Sequence, residues 1–143
     1  MYNNQIEKNI LYEDRDILVC RKPSGMPVQA AGIGTMDMES ALKNYLAQKN
    51  PGKMPYLAVI HRLDQPIEGV LVFAKTSGAA GNLSKQIMAG GAGKYYLAVT
   101  EGKPEKSEGT LTDYLKKNGR ANISQTVPAN TPGAKKAILH YKV

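Results

Sequence analysis

The sequence predicts an α+β domain with a mixed, mainly antiparallel sheet and helices packed against it. Three observations carry this reading. Short runs of strand-forming residues bounded by turn residues recur at 9–13, 17–21, 57–60 and 70–74. Two stretches carry apolar residues at helical spacings of three and four. The last residues, Ala137-Ile138-Leu139-His140-Tyr141-Lys142-Val143, alternate apolar and polar as a half-buried strand does. A chain of 143 residues suits one domain, 1–143, able to bury about two-thirds of its unfolded surface.

Residues 1–8 are polar and read as a lead-in. Asn9 to Glu13 and Ile17 to Arg21 are two short strands joined by Asp14-Arg15-Asp16, which predicts a hairpin. Lys22-Pro23-Ser24-Gly25-Met26-Pro27 then ends the strand, because two prolines and a glycine allow no regular element. Ala30 to Gly34 is a glycine-containing loop without the strand–glycine–helix context of a phosphate cradle. A helix is expected from Thr35 or Asp37, with Met38, Ala41, Leu42, Tyr45 and Leu46 as its core stripe, stopped by Asn50-Pro51-Gly52. Thr76 or Ser77 caps a second helix bearing Ala80, Leu83 and Ile87, which Gly90-Gly91-Ala92-Gly93 ends. Lys94 to Thr100 reads as a strand, and Gly109 to Leu115 as a short strand followed by one helical turn. Residues 124–134 read as loop before the final strand. The chain stops inside that strand, and the expectation is a domain lacking its C-terminal part.

Nineteen basic and twelve acidic residues give a formal charge of +7. Such a surplus favours an anionic partner, nucleic acid being the commonest, over a merely lysine-rich surface. The single cysteine, Cys20, lies in an apolar run and cannot form an internal disulfide. It points to a reducing, cytoplasmic setting. No apolar run approaches the roughly 18 residues of a membrane helix, and the N-terminus is too polar for a signal peptide. The expectation is a monomer without membrane partners.

The chemistry concentrates in one loop. Between the apolar runs ending at Ile60 and starting at Val70 lie His61, Arg62, Asp64 and Glu68. Pro66 biases Gln65 away from helix, so Asp64 sits in extended or turn backbone. In extended backbone Arg62 and Asp64 point to the same side. An arginine there would favour the ionised carboxylate that a nucleophile or general base needs. The same pair read structurally is an Arg–Asp ion pair in a turn. His61 has no second His or Cys close by, which argues against a metal site. The order His-Arg-x-Asp is shared with the protein-kinase catalytic loop. That reading fails, because Gly69 stands where its Asn is required and no Asp-Phe-Gly follows.

His61-Arg62-Leu63-Asp64, followed by Gly69-Val70-Leu71-Val72-Phe73-Ala74-Lys75, resembles the signature of the RluA-type RNA pseudouridine synthases. The segments Ile10 to Val19 and Lys22 to Val28 resemble that family's opening hairpin and Lys-Pro-x-Gly loop. Lys94-Tyr95-Tyr96 resembles its second motif, and residues 134–143 its next strand. The resemblance implies a pseudouridine synthase-like catalytic domain and an enzyme that isomerises uridine to pseudouridine in rRNA or tRNA, without metal or organic cofactor. It implies that Asp64 initiates detachment of the base, that Tyr96 packs against the target base, and that Arg62 positions RNA or fills the space of the flipped nucleotide. A tyrosine on a strand can stack on an extruded base, while Tyr95 on the opposite face reads as core. Arg21, Lys22, Lys75, Lys94, Lys116, Lys117 and Arg120 are candidates for phosphate contacts.

Two departures stand out. Ile67-Glu68 replaces the family's usual Thr-Ser, and its later Gly-Arg-x-His-Gln-Ile-Arg motif has no match here. The expectation is also a chain without the family's S4-type RNA-binding domain. The alternatives are a non-catalytic RNA-binding module, or an inactive truncated synthase, and an unrelated α+β domain.

Overall fold

The computed structural model describes residues 6–30, 32, 34–119 and 123–143. Among them the chain forms, in order, β1 (Ile10–Glu13), β2 (Ile17–Lys22), α1 (Met38–Lys49), β3 (Ala58–Val59), β4 (Gly69–Ala74), α2 (Ser77–Met88), β5 (Glu108–Asn118), β6 (Ile123–Thr126) and β7 (Lys135–Lys142). The α+β class holds, and every strand pairing among these elements is antiparallel. The chain divides into two units, Met1–Tyr95 and Tyr96–Val143. No helix among the described residues is long and apolar enough to cross a membrane.

The first unit is built on the sheet β1-β2-β4-β3. Its hairpin turn is made by Asp14, whose carboxylate accepts the backbone N–H groups of Asp16 and Ile17, both at 2.8 Å. This is the side-chain turn expected of an aspartate in that position. β2 and β4 pair along their whole length, from Ile17 against Ala74 to Lys22 against Gly69. Alternation puts Leu18, Cys20 and Lys22 on one face of β2 and Leu71 and Phe73 on the matching face of β4, all of them buried. The predicted stripe of α1 covers that face: Met38, Ala41, Leu42, Tyr45 and Leu46 are all buried. Each large apolar side chain enclosed in this way contributes about 1.5–3 kcal/mol. Burial pushes the Cys20 thiol up to about 12, so it behaves as a small hydrophobe.

The helix ends follow from their capping residues. Asp37 caps α1 by accepting the Ser40 N–H at 2.7 Å, and it also takes the Ala30 N–H at 2.6 Å, tying the preceding loop to the helix. Thr76 caps α2 through Ala79 N–H at 3.3 Å. The apolar side of α2 (Ala80, Leu83, Ile87) is only half-buried.

One polar cluster joins three elements of this unit. At the end of β1, the Glu13 carboxylate accepts from Tyr45 Oη and Lys49 Nζ on α1, each at 2.8 Å, and from Lys75 Nζ beyond β4 at 2.7 Å. Burial alone would raise its pKa, but the hydrogen bonds from Lys49, Lys75 and Tyr45 hold it down to about 2.

The second unit is the sheet β6-β5-β7, with the eleven-residue β5 in its middle. None of its described residues is fully buried. Here and at the end of the first unit the structure corrects four expectations. The helical turn expected through Tyr114 and Leu115 is instead strand, because β7 pairs with β5 from Glu108 to Leu115 and long-range pairing overrides a weak local preference. Residues 123–126, expected mostly as loop, form the polar edge strand β6 against Leu115–Asn118. The segment Lys94–Thr100, expected as a strand, has no ladder partner among the described residues. Tyr95, expected in the core, is 94% exposed.

The Glu13 cluster yields a pH prediction. A carboxyl held at about 2 when folded, against an ordinary 4.5, contributes stability that is complete above about pH 4.5 and is lost as pH falls toward 2. Glu13→Gln is expected to lower stability at neutral pH by about 2 kcal/mol and to make the acid decline shallower. The decline will not flatten, because hydrogen bonds from Ile17 and Asp16 N–H also hold Asp14 below the usual carboxylate range. Urea midpoints from pH 2 to pH 7 measure both effects.

Candidate active site

The loop between β3 and β4 alternates between anchors and free side chains. His61 and Leu63 are partly buried, whereas Arg62 and Asp64 are exposed. His61 accepts the N–H of Val72 on β4 through Nε2 at 3.1 Å, just past the end of β3. The imidazole thus takes up a sheet hydrogen bond that β3 no longer supplies. Accepting at Nε2 requires the neutral ring with its proton on Nδ1. Burial, helped by the charge of Lys94, holds its pKa below the usual histidine range. Leu63 packs against the core, and its Cδ1 lies 2.7 Å from where a Cβ on Gly69 would sit. Only glycine fits under Leu63 without displacing it.

Asp64 opens the turn that follows. Its carbonyl accepts the Ile67 N–H at 3.0 Å. No ion pair joins Arg62 to Asp64, and among the described residues no donor hydrogen-bonds the Asp64 carboxylate. The structural ion pair is therefore not what holds these two residues here. Their shared exposure matches the extended backbone that the sequence suggests.

What fixes the loop is the segment between β2 and α1. Lys22, fully buried at the end of β2, donates from Nζ to the carbonyls of Pro23 (3.0 Å), Met26 (2.6 Å) and Gln65 (2.8 Å). Three carbonyls satisfy the three protons of an ammonium. Burial pulls the Lys22 pKa down, and the Asp64 carboxylate acts in the opposite direction. Around this centre Gly25 N–H donates to Gln65 O at 2.9 Å, Gln65 Nε2 donates to Gly25 O at 3.0 Å, and Ser24 Oγ donates to Pro66 O at 2.8 Å. Gly25 has φ +82°, a left-handed conformation that favours glycine.

A family model described as RNA pseudouridylate synthase matches residues 16–143. The chain belongs to that family. Among curated relatives, an uncharacterized RNA pseudouridine synthase of Zymomonas mobilis is 30% identical over 138 residues, covering 96% of this chain and 61% of that protein. Ribosomal large subunit pseudouridine synthase C of Rickettsia bellii is 31% identical, covering 94% of this chain and 42% of its own length. Ribosomal large subunit pseudouridine synthase D of Pseudomonas aeruginosa is 34% identical, with 96% and 42% covered. These relatives place the chain in the RluA type. The human RNA pseudouridylate synthase domain containing 4 shares its fold, with a TM-score of 0.79 at 22% identity over 99% of this chain and 55% of that one. The chain thus spans between 42% and 61% of the length of these three curated relatives.

Within this synthase-family chain, several basic residues expected to meet phosphate are already engaged. Lys22 is buried and cages carbonyls. Lys75 binds Glu13 and, at 2.5 Å, the Asp14 carbonyl. Arg21 reaches Asn9 Oδ1 and lies 3.9 Å from Glu68 in an exposed pair, which gives Glu68 a partner in place of the usual serine. Lys94, Lys116 and Lys117 remain exposed, and Arg120 lies outside the described residues. Tyr96 is in the second unit, 64% exposed. The sequence reading missed the role of Lys22, although the alternation Leu18, Cys20, Lys22 places it on the core face.

Lys22→Met removes the ammonium while keeping most of the volume. It leaves the Pro23 and Met26 carbonyls without their donor and Gln65 O with only the Gly25 N–H, and is expected to cost about 2–3 kcal/mol. Amide exchange at Gly25 should accelerate more than exchange at β2 amides. Equal protection of Gly25 in both proteins would show that the ammonium does not hold the loop.

Proposed function

We propose that this chain carries the base-detaching part of an RNA pseudouridine synthase acting on uridine in ribosomal or transfer RNA. The observation that carries the reading is the state of Asp64. Its carboxylate is exposed and claimed by no hydrogen-bond donor among the described residues, while its backbone is pinned on both sides. A carboxylate kept free on a fixed loop is suited to attack or to proton transfer.

The reaction breaks the bond between ribose C1′ and uracil N1, turns the base, and joins C1′ to C5. The C5 proton leaves and N1 gains one, so no atoms or electrons are gained or lost overall. Asp64 initiates the detachment. Arg62, exposed like Asp64, meets a phosphate or occupies the place of the extruded nucleotide. Tyr96 stacks on the target base. The names of the relatives, which specify the ribosomal large subunit, favour ribosomal RNA. The chain acts as a cytoplasmic monomer without metal or organic cofactor.

Because C5 loses its hydrogen, uridine RNA labelled with tritium at C5 reports turnover directly. The expected outcome is release by this chain and a loss of about 10³-fold or more in Asp64→Asn, with RNA affinity unchanged. Undiminished release by Asp64→Asn would remove the aspartate from the mechanism. RNA binding without any release would favour the non-catalytic module.

A further inference from the structure

The register of the second unit sorts its side chains onto two unlike faces. Directly opposed residues in an antiparallel pair share a face. On one face Leu115 opposes Lys135, Asp113 opposes Ala137, Leu111 opposes Leu139 and Gly109 opposes Tyr141, whose ring lies over the glycine; Lys117 follows Leu115 there, so this face mixes two lysines with an aspartate and apolar side chains. On the other face Tyr114 opposes Lys136, Thr112 opposes Ile138, Thr110 opposes His140, and Glu108 opposes Lys142. Lys116 follows Tyr114 on that same face by the two-residue alternation of a strand.

Lys116, Lys136 and Lys142 are all exposed, and none forms an ion pair with a carboxylate among the described residues. Glu108 is the one acidic residue of β5 or β7 on this face, at its far end. The opposite end opens onto a shallow concavity lined by Lys116, Lys117, Asn118, Gly119, Gln125 and Val127. Lys136 and Lys142 stand about 20 Å apart along β7, a span that several consecutive backbone phosphates would cover. Half-buried Tyr114 offers a ring beside Lys116 and Lys136 for a base to stack on.

We infer that this face of β5 and β7, with Lys116, Lys136 and Lys142 as its cations, is a platform for the sugar-phosphate backbone of single-stranded RNA. It rests on the reading of the chain as RNA-acting and assigns that partner to a particular surface. Contacts of this kind hold RNA without reading its sequence, so the platform contributes affinity and salt dependence rather than choice of uridine.

The test measures binding of a short, uridine-containing single-stranded RNA to the whole chain over a range of salt concentrations. Replacing Lys116, Lys136 and Lys142 together by Gln is expected to reduce the slope of log K against log salt by about 2, at ~0.7 for each phosphate no longer neutralised. The Lys→Arg triple should keep the slope. A control triple of equal charge, Lys8→Gln, Lys53→Gln and Lys85→Gln, should leave it unchanged. If the Gln triple does not fold by circular dichroism, the three single variants carry the test, each lowering the slope by about 0.7. An unchanged slope in the Gln variants, or an equal fall in the control, overturns the platform. So does equally tight binding of the chain to phosphatidylserine vesicles, which would mark a general anion surface. These outcomes are distinct from failure of the functional reading, which shows as absence of RNA binding or turnover in the unmodified chain.

Discussion

The ammonium of Lys22 is the interaction on which the arrangement around Asp64 depends. Burying the lysine at the core-facing end of β2 forfeits its hydration, and a buried charge left alone would cost several kcal/mol. Three carbonyls at 2.6–3.0 Å replace that hydration with charge-assisted hydrogen bonds. Two of the three come from the loop that β2 itself enters, and the third belongs to Gln65, the neighbour of Asp64. One side chain therefore determines both the shape of the 23–26 loop and the position of the 64–66 turn. The surrounding bonds between Gly25, Ser24, Gln65 and Pro66 are weaker individually and follow from that placement.

A second lysine braces the opposite end of the same ladder. β2 and β4 run antiparallel, so Lys22 sits at the Gly69 end and Lys75 just beyond the Ala74 end. Lys75 gives its backbone N–H to Asp16 at 2.8 Å and its ammonium to Glu13 and Asp14. Strand alternation and length alone decide that one lysine ends inside and the other at the rim. The apolar middle of the ladder supplies most of the burial, and the two charged ends fix its loops. His61 ties its loop to β4 by accepting the Val72 N–H, and burial, helped by the charge of Lys94, keeps its imidazole neutral enough to do so.

Most of the first unit was legible from the residues because its signals are local. The turn at Asp14, the cap at Asp37, the stripe from Met38 to Leu46 and the apolar runs around the Asp64 loop each follow from spacing or side-chain chemistry. The second unit was less legible for a physical reason. β6 is polar and β5 contains lysines and an asparagine, so what makes them strands is pairing with distant residues rather than their own preference. Lys94–Thr100 shows the converse, a strand-like sequence without a described partner. In the site, motif order pointed to Asp64 and Arg62, and their exposure agrees with an extended segment. The work of Lys22, Lys75 and His61 is tertiary, and no spacing along the chain reveals which carbonyl or N–H each one meets.

These placements change what the positive charge means. A net charge of +7 suggests broad attraction to RNA. Yet Lys22 and Lys75 are consumed by carbonyls and Glu13, and Arg21 is partly offset by Glu68. Lysines inside such bonds cannot release counterions from RNA, because their charge is already neutralised or enclosed. The residues that most resemble a family signature are therefore poor guides to where the backbone of the substrate lies. Cations left without an ion-pair partner are the better guide, and of the five lysines on β5 and β7 three, Lys116, Lys136 and Lys142, lie on the face opposite the one bearing Leu111, Leu139 and Tyr141. The fold separates two uses of charge. It spends buried charge on holding one carboxylate free, and it leaves exposed charge on a polar sheet face where phosphates can be met without desolvating a core.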